Sequence, residues 1–78
     1  MSLVTMKELL KRAEKNNIGY GAFSVGNMEM IKGAVRAAEE TNTPIILQIA
    51  EIRLKYSPLH FIGPMMIEAA KASKVDIA

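Results

Sequence analysis

The stretch PIILQIA, residues 44–50, is apolar at nearly every position instead of at alternate positions. A strand with one face in water alternates, whereas a parallel strand covered on both faces is apolar along most of its length. The stretch therefore predicts a parallel β-strand that other elements cover on both faces. The residues before it, Thr41 to Pro44, are the turn-forming and helix-breaking types expected in front of such a strand.

A second strand and a helix are predicted directly before this stretch. GYGAFSV, residues 19–25, is rich in small, aromatic and β-branched residues and predicts the first strand. Gly26 begins a short turn, and Asn27 is a suitable N-cap for a helix. The apolar residues of that helix recur at the spacing of one helical face, at Met28, Ile31, Ala34, Val35 and Ala38. Together these segments predict a βαβ unit with parallel strands.

A further helix is predicted at the beginning of the chain. Thr5 and Glu8 have the spacing of a capping box, in which each side chain accepts a hydrogen bond from the other residue's amide. The apolar face of the helix is expected to contain Leu9, Leu10 and Ala13. Asn16-Asn17 is expected to end the helix, since Asn tolerates the left-handed backbone geometry of a helix stop.

A third helix and the opening of a third strand follow residue 50. Ser57 is expected to cap the helix, and Pro58 is suited to its first position. Gly63-Pro64 is expected to delay the regular helix until Pro64, after which it continues to Ala72. The final residues KVDIA, 74–78, then predict the start of the third strand.

The predicted order alternates helix and strand, which indicates an α/β fold with a parallel sheet. Such an arrangement is the start either of a barrel or of a doubly wound sheet. Three strands cannot close a barrel, which needs about eight, and the strand at 44–50 needs cover on both faces. We therefore expect residues 1–78 to be the N-terminal fragment of a single larger domain. A small complete βαβαβ domain is the alternative.

Composition excludes several classes of function. The chain of 78 residues has no cysteine, so it holds no disulfide and no thiolate metal site. No apolar run approaches the roughly 20 residues that a membrane span needs, and no signal peptide is evident. The formal net charge is +2, and the basic residues Lys7, Lys11, Arg12 and Lys15 have the spacing of a solvated helix face. We expect neither a nucleic-acid nor a membrane partner.

Candidate functional residues follow the two predicted strands. In a parallel α/β barrel the functional groups lie at the carboxyl ends of the strands, which here are residues 24–27 and 48–51. Gln48 is a polar residue at the end of an apolar strand, so it must find a partner or face a cavity. Glu51 is better explained as a solvated loop acid, and the lone His60 does not predict a metal site.

Three segments resemble the class II fructose-bisphosphate aldolases, a family that includes the tagatose-bisphosphate aldolases. The segments are MSLVTMKELLKRA (1–13), YGAFSVGNME (20–29) and AVRAAEETNTPIILQIAE (34–51). The resemblance covers nearly the whole chain and is weakest after Glu51. KVDIA is similar to the strand that leads into the family's H-L-D-H-G motif.

The resemblance implies a TIM (β/α)8 barrel, with residues 1–78 as its N-terminal portion. It implies a zinc-dependent lyase that reversibly cleaves a ketose (bis)phosphate to dihydroxyacetone phosphate and an aldehyde, in glycolysis or sugar catabolism. A phosphorylated-sugar substrate, a homo-oligomer (dimer or tetramer) and a cytoplasmic location are implied as well. The family's zinc ligands and catalytic residues match no position of residues 1–78. We therefore expect these residues alone to bind no zinc and to be inactive.

The resemblance also places substrate contacts at Ser24, Gln48 and Ala50. Gln48 matches the family pattern, whereas Ser24 stands where the family has Asn and Ala50 stands where it has Ser. Ser has a shorter reach and one donor fewer than Asn, and Ala50 offers only its backbone. These differences favour a divergent paralogue with another aldol substrate. A barrel that has lost catalysis and serves as a binding or structural subunit is the second alternative.

Overall fold

Helices and strands alternate along the chain in the computed structural model, which describes residues 2–78. The elements are, in order, α1 (Met6–Asn16), β1 (Ala22–Ser24), α2 (Met28–Thr41), β2 (Ile46–Gln48), a 3-10 helix (Glu51–Lys55) and α3 (Leu59–Ala72). The predicted α/β fold is therefore confirmed, while closure of the sheet into a barrel stays a prediction. None of the helices described is long and apolar enough to cross a membrane.

β1 and β2 form a parallel pair that is shorter than the strands predicted at 19–25 and 44–50. The backbone hydrogen bonds between the two strands extend from the carbonyl of Gly21 to the amide of Val25. Asn27, the N-cap of α2, follows closely after Val25. The start of α2 therefore limits β1 at its carboxyl end.

Burial along β2 changes from its beginning to its end. Ile45 and Ile46 are only 5% and 6% exposed, whereas Gln48 is exposed. All three residues of β1 are exposed as well. Within residues 2–78, side chains cover only the beginning of β2, so cover on both faces of its carboxyl half stays a prediction about the larger domain.

Ile77 lies in the sheet between β2 and the beginning of the chain. It forms parallel bridges with Ile45 on one side and Leu3 on the other. The Ile77 amide donates to the Ser2 carbonyl at 2.7 Å, and the Val4 amide donates to the Ile77 carbonyl at 2.9 Å. The predicted third strand is thus present as a short bridged segment. The pairing of residues 2–4 with it has no counterpart among the sequence predictions.

Side chains at the starts of α1 and α2 cap the helices as predicted. Thr5 Oγ1 accepts from the Glu8 amide at 3.1 Å, and Asn27 Oδ1 accepts from the Met30 amide at 2.8 Å. The other half of the predicted capping box differs, because the Glu8 carboxylate lies 3.6 Å from the guanidinium of Arg12. Each cap satisfies one of the amides that a helix start leaves without a partner.

Asparagines in the left-handed conformation end α1 and α2. Asn17 has φ 53° and Asn42 has φ 50°. This conformation lets the Asn17 amide bond back to the last turn of α1, and Asn tolerates it better than most residues. The helix end predicted at Asn16-Asn17 is confirmed.

α3 begins before Pro64 and includes it, contrary to the prediction. Pro58, rather than Ser57, is the N-cap residue, and no side chain in the described part of the chain caps the helix. The Ser57 hydroxyl instead donates to the Gly26 carbonyl, next to the start of α2. The helix begins at Leu59 and continues through Pro64, which is exposed. Packing of the helix on the core therefore outweighs the local preference of proline to interrupt it.

One apolar cluster joins α2 and α3 to the strands. Its buried members are Val25, Ile31, Val35, Ala38, Ile45, Ile62, Ala70, Val75 and Ile77. Met28 and Leu10, two residues predicted on apolar helix faces, are each 52% exposed instead. Leu10 follows the fully buried Leu9, and adjacent helix residues point about 100° apart, so only one of the two can face inward.

An ion pair joins α1 to the segment that contains Ile77. Arg12 Nη1 lies 2.9 Å from Asp76 Oδ2, and the two side chains are 33% and 35% exposed. The hydrogen bond to Asp76 raises the pKa of Arg12 above its ordinary value. One member of the basic cluster noted in the sequence is therefore engaged in a contact within the fold.

Replacing Gly33 by Ala is expected to raise the free energy of unfolding by about 0.5–1 kcal/mol. Gly33 is exposed within α2, and a Cβ atom there would meet no atom within 4 Å. The gain comes from the smaller conformational freedom of Ala in the unfolded chain. Urea unfolding measures it, and Ala37→Gly on the same helix serves as the reverse control. A lower free energy of unfolding for Gly33→Ala would contradict the prediction.

Candidate functional site

Ser24 and Gln48 meet at the carboxyl ends of β1 and β2. The two residues are directly opposite each other in the register of the parallel pair. Gln48 Nε2 donates a hydrogen bond to Ser24 Oγ at 3.0 Å. Both residues are exposed, so their hydrogen bond joins two side chains that are open to solvent. The structure therefore brings together two of the three predicted substrate contacts.

This pair presents donors and acceptors to the space above the strand ends. The Ser24 hydroxyl accepts from Gln48 and keeps its own proton free to donate. Gln48 keeps its carbonyl oxygen as an acceptor and its second amide hydrogen as a donor. Such a set complements a polar ligand that carries hydroxyl groups, which donate and accept, together with carbonyl oxygens, which accept.

Ala50, the third predicted contact, is the N-cap residue of the 3-10 helix just beyond β2. Its carbonyl accepts from the Arg53 amide at 2.9 Å, and its methyl group offers no hydrogen bond. Ala50 borders a cavity of about 220 Å³ at the carboxyl ends of the strands, lined by Ser24, Val25, Gly26, Met30, Ala50, Ile52 and Arg53. Ser24 and Ala50 thus share one cavity.

Arg53 and Ser57 are residues at this end of the sheet that the sequence did not predict. The Arg53 guanidinium lies against the Gly26 carbonyl, with Nε at 3.4 Å and Nη2 at 3.5 Å. Ser57 donates to the same carbonyl. Of the two, only Arg53 could have been suspected from the sequence, because it is a cation three residues past the predicted contact at position 50. Its approach to Gly26 depends on the 3-10 helix, which has no clear sequence pattern.

The acidic and histidine residues near the site do not form a metal centre. Glu51 is exposed in the 3-10 helix, and His60 is exposed with its ring centroid 4.3 Å from that of Phe61. Within residues 2–78, no group of three or more His, Cys, Asp or Glu side chains could hold a metal ion. The donor atoms described here therefore do not fit a catalytic zinc or other divalent ion.

Two larger cavities lie away from the strand ends. One of about 290 Å³ borders Phe23, Ala38 and Ile45 and is almost entirely apolar. The other, of about 500 Å³, lies along α2 and includes Lys32, Arg36 and Glu39. Neither of these two cavities is lined by Ser24 or Ala50, whereas the smaller cavity at the strand ends is lined by both and is the better candidate for chemistry.

Comparison with known proteins gives one consistent family. The family described as fructose-bisphosphate aldolase class-II matches residues 4–78. The chain is 39% identical over 77 residues to a fructose-bisphosphate aldolase of Giardia intestinalis, covering 99% of the chain and 24% of that protein. It is 36% identical over 76 residues to a fructose-bisphosphate aldolase of Thermus caldophilus, covering 97% of the chain and 25% of that protein.

A third relative is also several times longer than the part of it that the chain matches. It is a fructose-bisphosphate aldolase class 2 of Synechocystis, 38% identical over 71 residues, which cover 91% of the chain and 20% of that protein. The chain therefore spans a quarter or less of the length of these relatives. The match includes Ser24, Gln48, Ala50 and Arg53, because all four lie between residues 4 and 78.

Proposed function

Because the chain belongs to the class II fructose-bisphosphate aldolase family, we propose that the polypeptide carrying it is an aldolase. In this proposal it reversibly cleaves a phosphorylated ketose to dihydroxyacetone phosphate and an aldehyde. Residues 1–78 would form the N-terminal portion of a single TIM-barrel domain, with β1 and β2 as two of its parallel strands. Such a barrel carries its functional groups at the carboxyl ends of the strands.

The observation that carries the proposal is the Ser24–Gln48 hydrogen bond at those carboxyl ends. We assign this pair to binding and orienting the ketose. The free Ser24 proton would donate to a substrate oxygen, and the Gln48 carbonyl would accept from a substrate hydroxyl. Fixing the ketose in one orientation lowers the barrier of the cleavage step, because less freedom is lost in reaching the transition state.

We propose a divalent metal, zinc in the first instance, as the cofactor of this aldolase. Residues 2–78 contain no group of side chains that fits such an ion, so its ligands would be other residues of the polypeptide. When bound, such a metal polarises a carbonyl oxygen. The Ser24–Gln48 pair holds the substrate independently of that step.

The substrate proposed here is a ketose phosphate other than fructose 1,6-bisphosphate. Ser24 and Ala50 border the same cavity and are the two positions that differ from the family pattern. Ala50 has no side-chain donor, and Ser24 has one where Asn would have two. A substrate that relied on these donors would be bound less tightly, which favours a ketose with a different arrangement of hydroxyl or phosphoryl groups.

The proposed function is tested by assaying the purified polypeptide that carries these residues. Release of triose phosphate is measured from fructose 1,6-bisphosphate, tagatose 1,6-bisphosphate and a panel of ketose monophosphates. We expect cleavage of at least one ketose phosphate other than fructose 1,6-bisphosphate, loss of activity with a chelator, and recovery on adding zinc. Absence of cleavage from every ketose in the presence of zinc would overturn the proposal in favour of a non-catalytic barrel.

Replacing Gln48 by Ala is expected to lower kcat/KM for the cleaved ketose about tenfold. The change removes the donor to Ser24 and one acceptor for the substrate. Thr43→Ala is the control, because the Thr43 hydroxyl bonds only locally, to the Thr41 carbonyl at 3.0 Å, before β2 begins. Equal kinetics for Gln48→Ala and Thr43→Ala would argue against a substrate contact at Gln48.

A further inference from the structure

Arg53 has a guanidinium group whose donors are poorly satisfied within the fold. Its Nε and Nη2 atoms approach the Gly26 carbonyl at 3.4 and 3.5 Å, which is longer than the usual 2.7–3.2 Å of an N–H···O bond. The Ser57 hydroxyl already donates to that carbonyl. Since a guanidinium carries five N–H donors, most of its binding capacity is left for another group.

The charge of Arg53 is also uncompensated by the residues described. Within residues 2–78 the ion pairs join Arg12 to Glu8 and Asp76, Arg36 to Glu40, and Lys71 to Glu68. Arg53 forms no ion pair with any carboxylate in this part of the chain. An Arg that lines a cavity without an acidic partner is suited to bind an oxyanion, because its planar fork matches two oxygen atoms at once.

The position of Arg53 is fixed by its own backbone and by a glycine. The Arg53 amide donates to the Ala50 carbonyl at 2.9 Å, which places the residue one turn beyond the end of β2. Gly26 leaves room for the side chain, because a Cβ atom there would clash with Arg53 Nε. The side chain of Arg53, an exposed residue, thereby lies at the wall of the cavity that Ser24 and Ala50 also line.

We propose that Arg53 determines substrate specificity by binding a phosphoryl group of the ketose. This inference rests on the proposed aldolase function. Ala50 contributes no side-chain donor to the shared cavity, whereas Arg53 supplies a charged, bidentate donor at the same wall. The Ser24–Gln48 pair then contacts the hydroxyl and carbonyl groups, and Arg53 contacts the anionic end.

The kinetic test uses Arg53→Met in the active polypeptide. We expect KM for the cleaved ketose phosphate to rise about 20-fold, with kcat changed by less than about twofold, because a charge-assisted contact to a non-reacting group is lost. Arg36→Met is the matched control, since among residues 2–78 Arg36 pairs with Glu40, on the surface of α2. An unchanged KM for Arg53→Met would overturn the inference while leaving the aldolase function intact.

Gly26→Ala provides a second, independent variant that keeps the charge. The added Cβ displaces the Arg53 side chain from the cavity wall, so KM is expected to rise here too. The double variant is expected to be no worse than Arg53→Met alone, because the two changes remove the same contact. Additive effects of the two substitutions would contradict the assignment.

A binding measurement separates this inference from the proposed function. In ¹⁵N-labelled protein the Arg53 Nε–Hε signal is followed while inorganic phosphate, or acetate in a parallel sample, is added. A shift with phosphate at Arg53 but not at Arg36 supports the inference even if no ketose is cleaved, in which case only the proposed function fails. A shift with acetate alone would overturn the phosphoryl assignment, and no shift with either anion would overturn the inference.

Discussion

Replacing Ile77 by Ala is expected to lower the free energy of unfolding by about 3 kcal/mol. The side chain is 1% exposed and belongs to the apolar cluster that joins α2 and α3 to the strands. The truncation removes buried carbon atoms and leaves a cavity. Because the backbone of Ile77 bridges both Leu3 and Ile45, the surrounding chain is held apart and cannot readily close the space. Urea unfolding followed by circular dichroism measures the change.

The control for this prediction is Ile52→Ala, the same chemical change at a residue that is 82% exposed. It is expected to alter the free energy of unfolding by less than about 0.5 kcal/mol. The difference between the variants isolates burial, because the same atoms are removed in each. Similar losses in the two variants would show that Ile77 is not part of the core that the structure describes.

The features predicted correctly depend on contacts between residues near in sequence. Thr5 and Asn27 cap helices by accepting from amides three residues away, so the spacing of residue types is sufficient to identify them. The helical end at Asn17 follows from the local preference of Asn for the left-handed conformation. The order of helices and strands was predictable for the same reason.

The features missed depend on contacts that are distant in sequence. Residues 2–4 have no strand pattern, yet Ser2 and Val4 bond to Ile77 from the other end of the chain. Ser57 resembles an N-cap locally but donates instead to Gly26, 31 residues away. The preference of a residue type for a position reflects only local conformations. It cannot show that the side chain forms a hydrogen bond with a residue distant in sequence.

The candidate site likewise has one part that the sequence predicted and one part that it did not. The parallel register predicts that Ser24 and Gln48 lie at one end of the sheet, and the structure joins them by a hydrogen bond. The approach of Arg53 to Gly26 was not predictable, because it depends on the turn of 3-10 helix after Ala50 and on the absence of a side chain at Gly26. Whether these residues contact a ketose stays a prediction for the kinetic experiments above.

Replacing Pro64 by Ala is expected to raise the free energy of unfolding by about 2 kcal/mol. Pro64 lies inside α3 and is exposed, so the change leaves no cavity. Proline in a helix interior costs about 3 kcal/mol relative to Ala, since it lacks an amide donor and its ring crowds the preceding turn. About 0.4–1 kcal/mol of the gain is offset, because Ala gives the unfolded chain more freedom than Pro. Urea unfolding gives the net value.

Pro58→Ala is the matched control, because it makes the same change at the residue just outside α3. Pro58 is the N-cap with φ −55°, a value that proline adopts without strain, and it has no helical amide to lose. The change at Pro58 acts only through the greater freedom that Ala gives the unfolded chain. This variant is therefore expected to lower the free energy of unfolding by about 0.4–1 kcal/mol. If the free energy of unfolding rises for Pro64→Ala and falls for Pro58→Ala, the effect of Pro64 comes from its position inside the helix. A decrease for Pro64→Ala would instead mean that the proline stabilises the start of α3 more than it disrupts the helical hydrogen bonds.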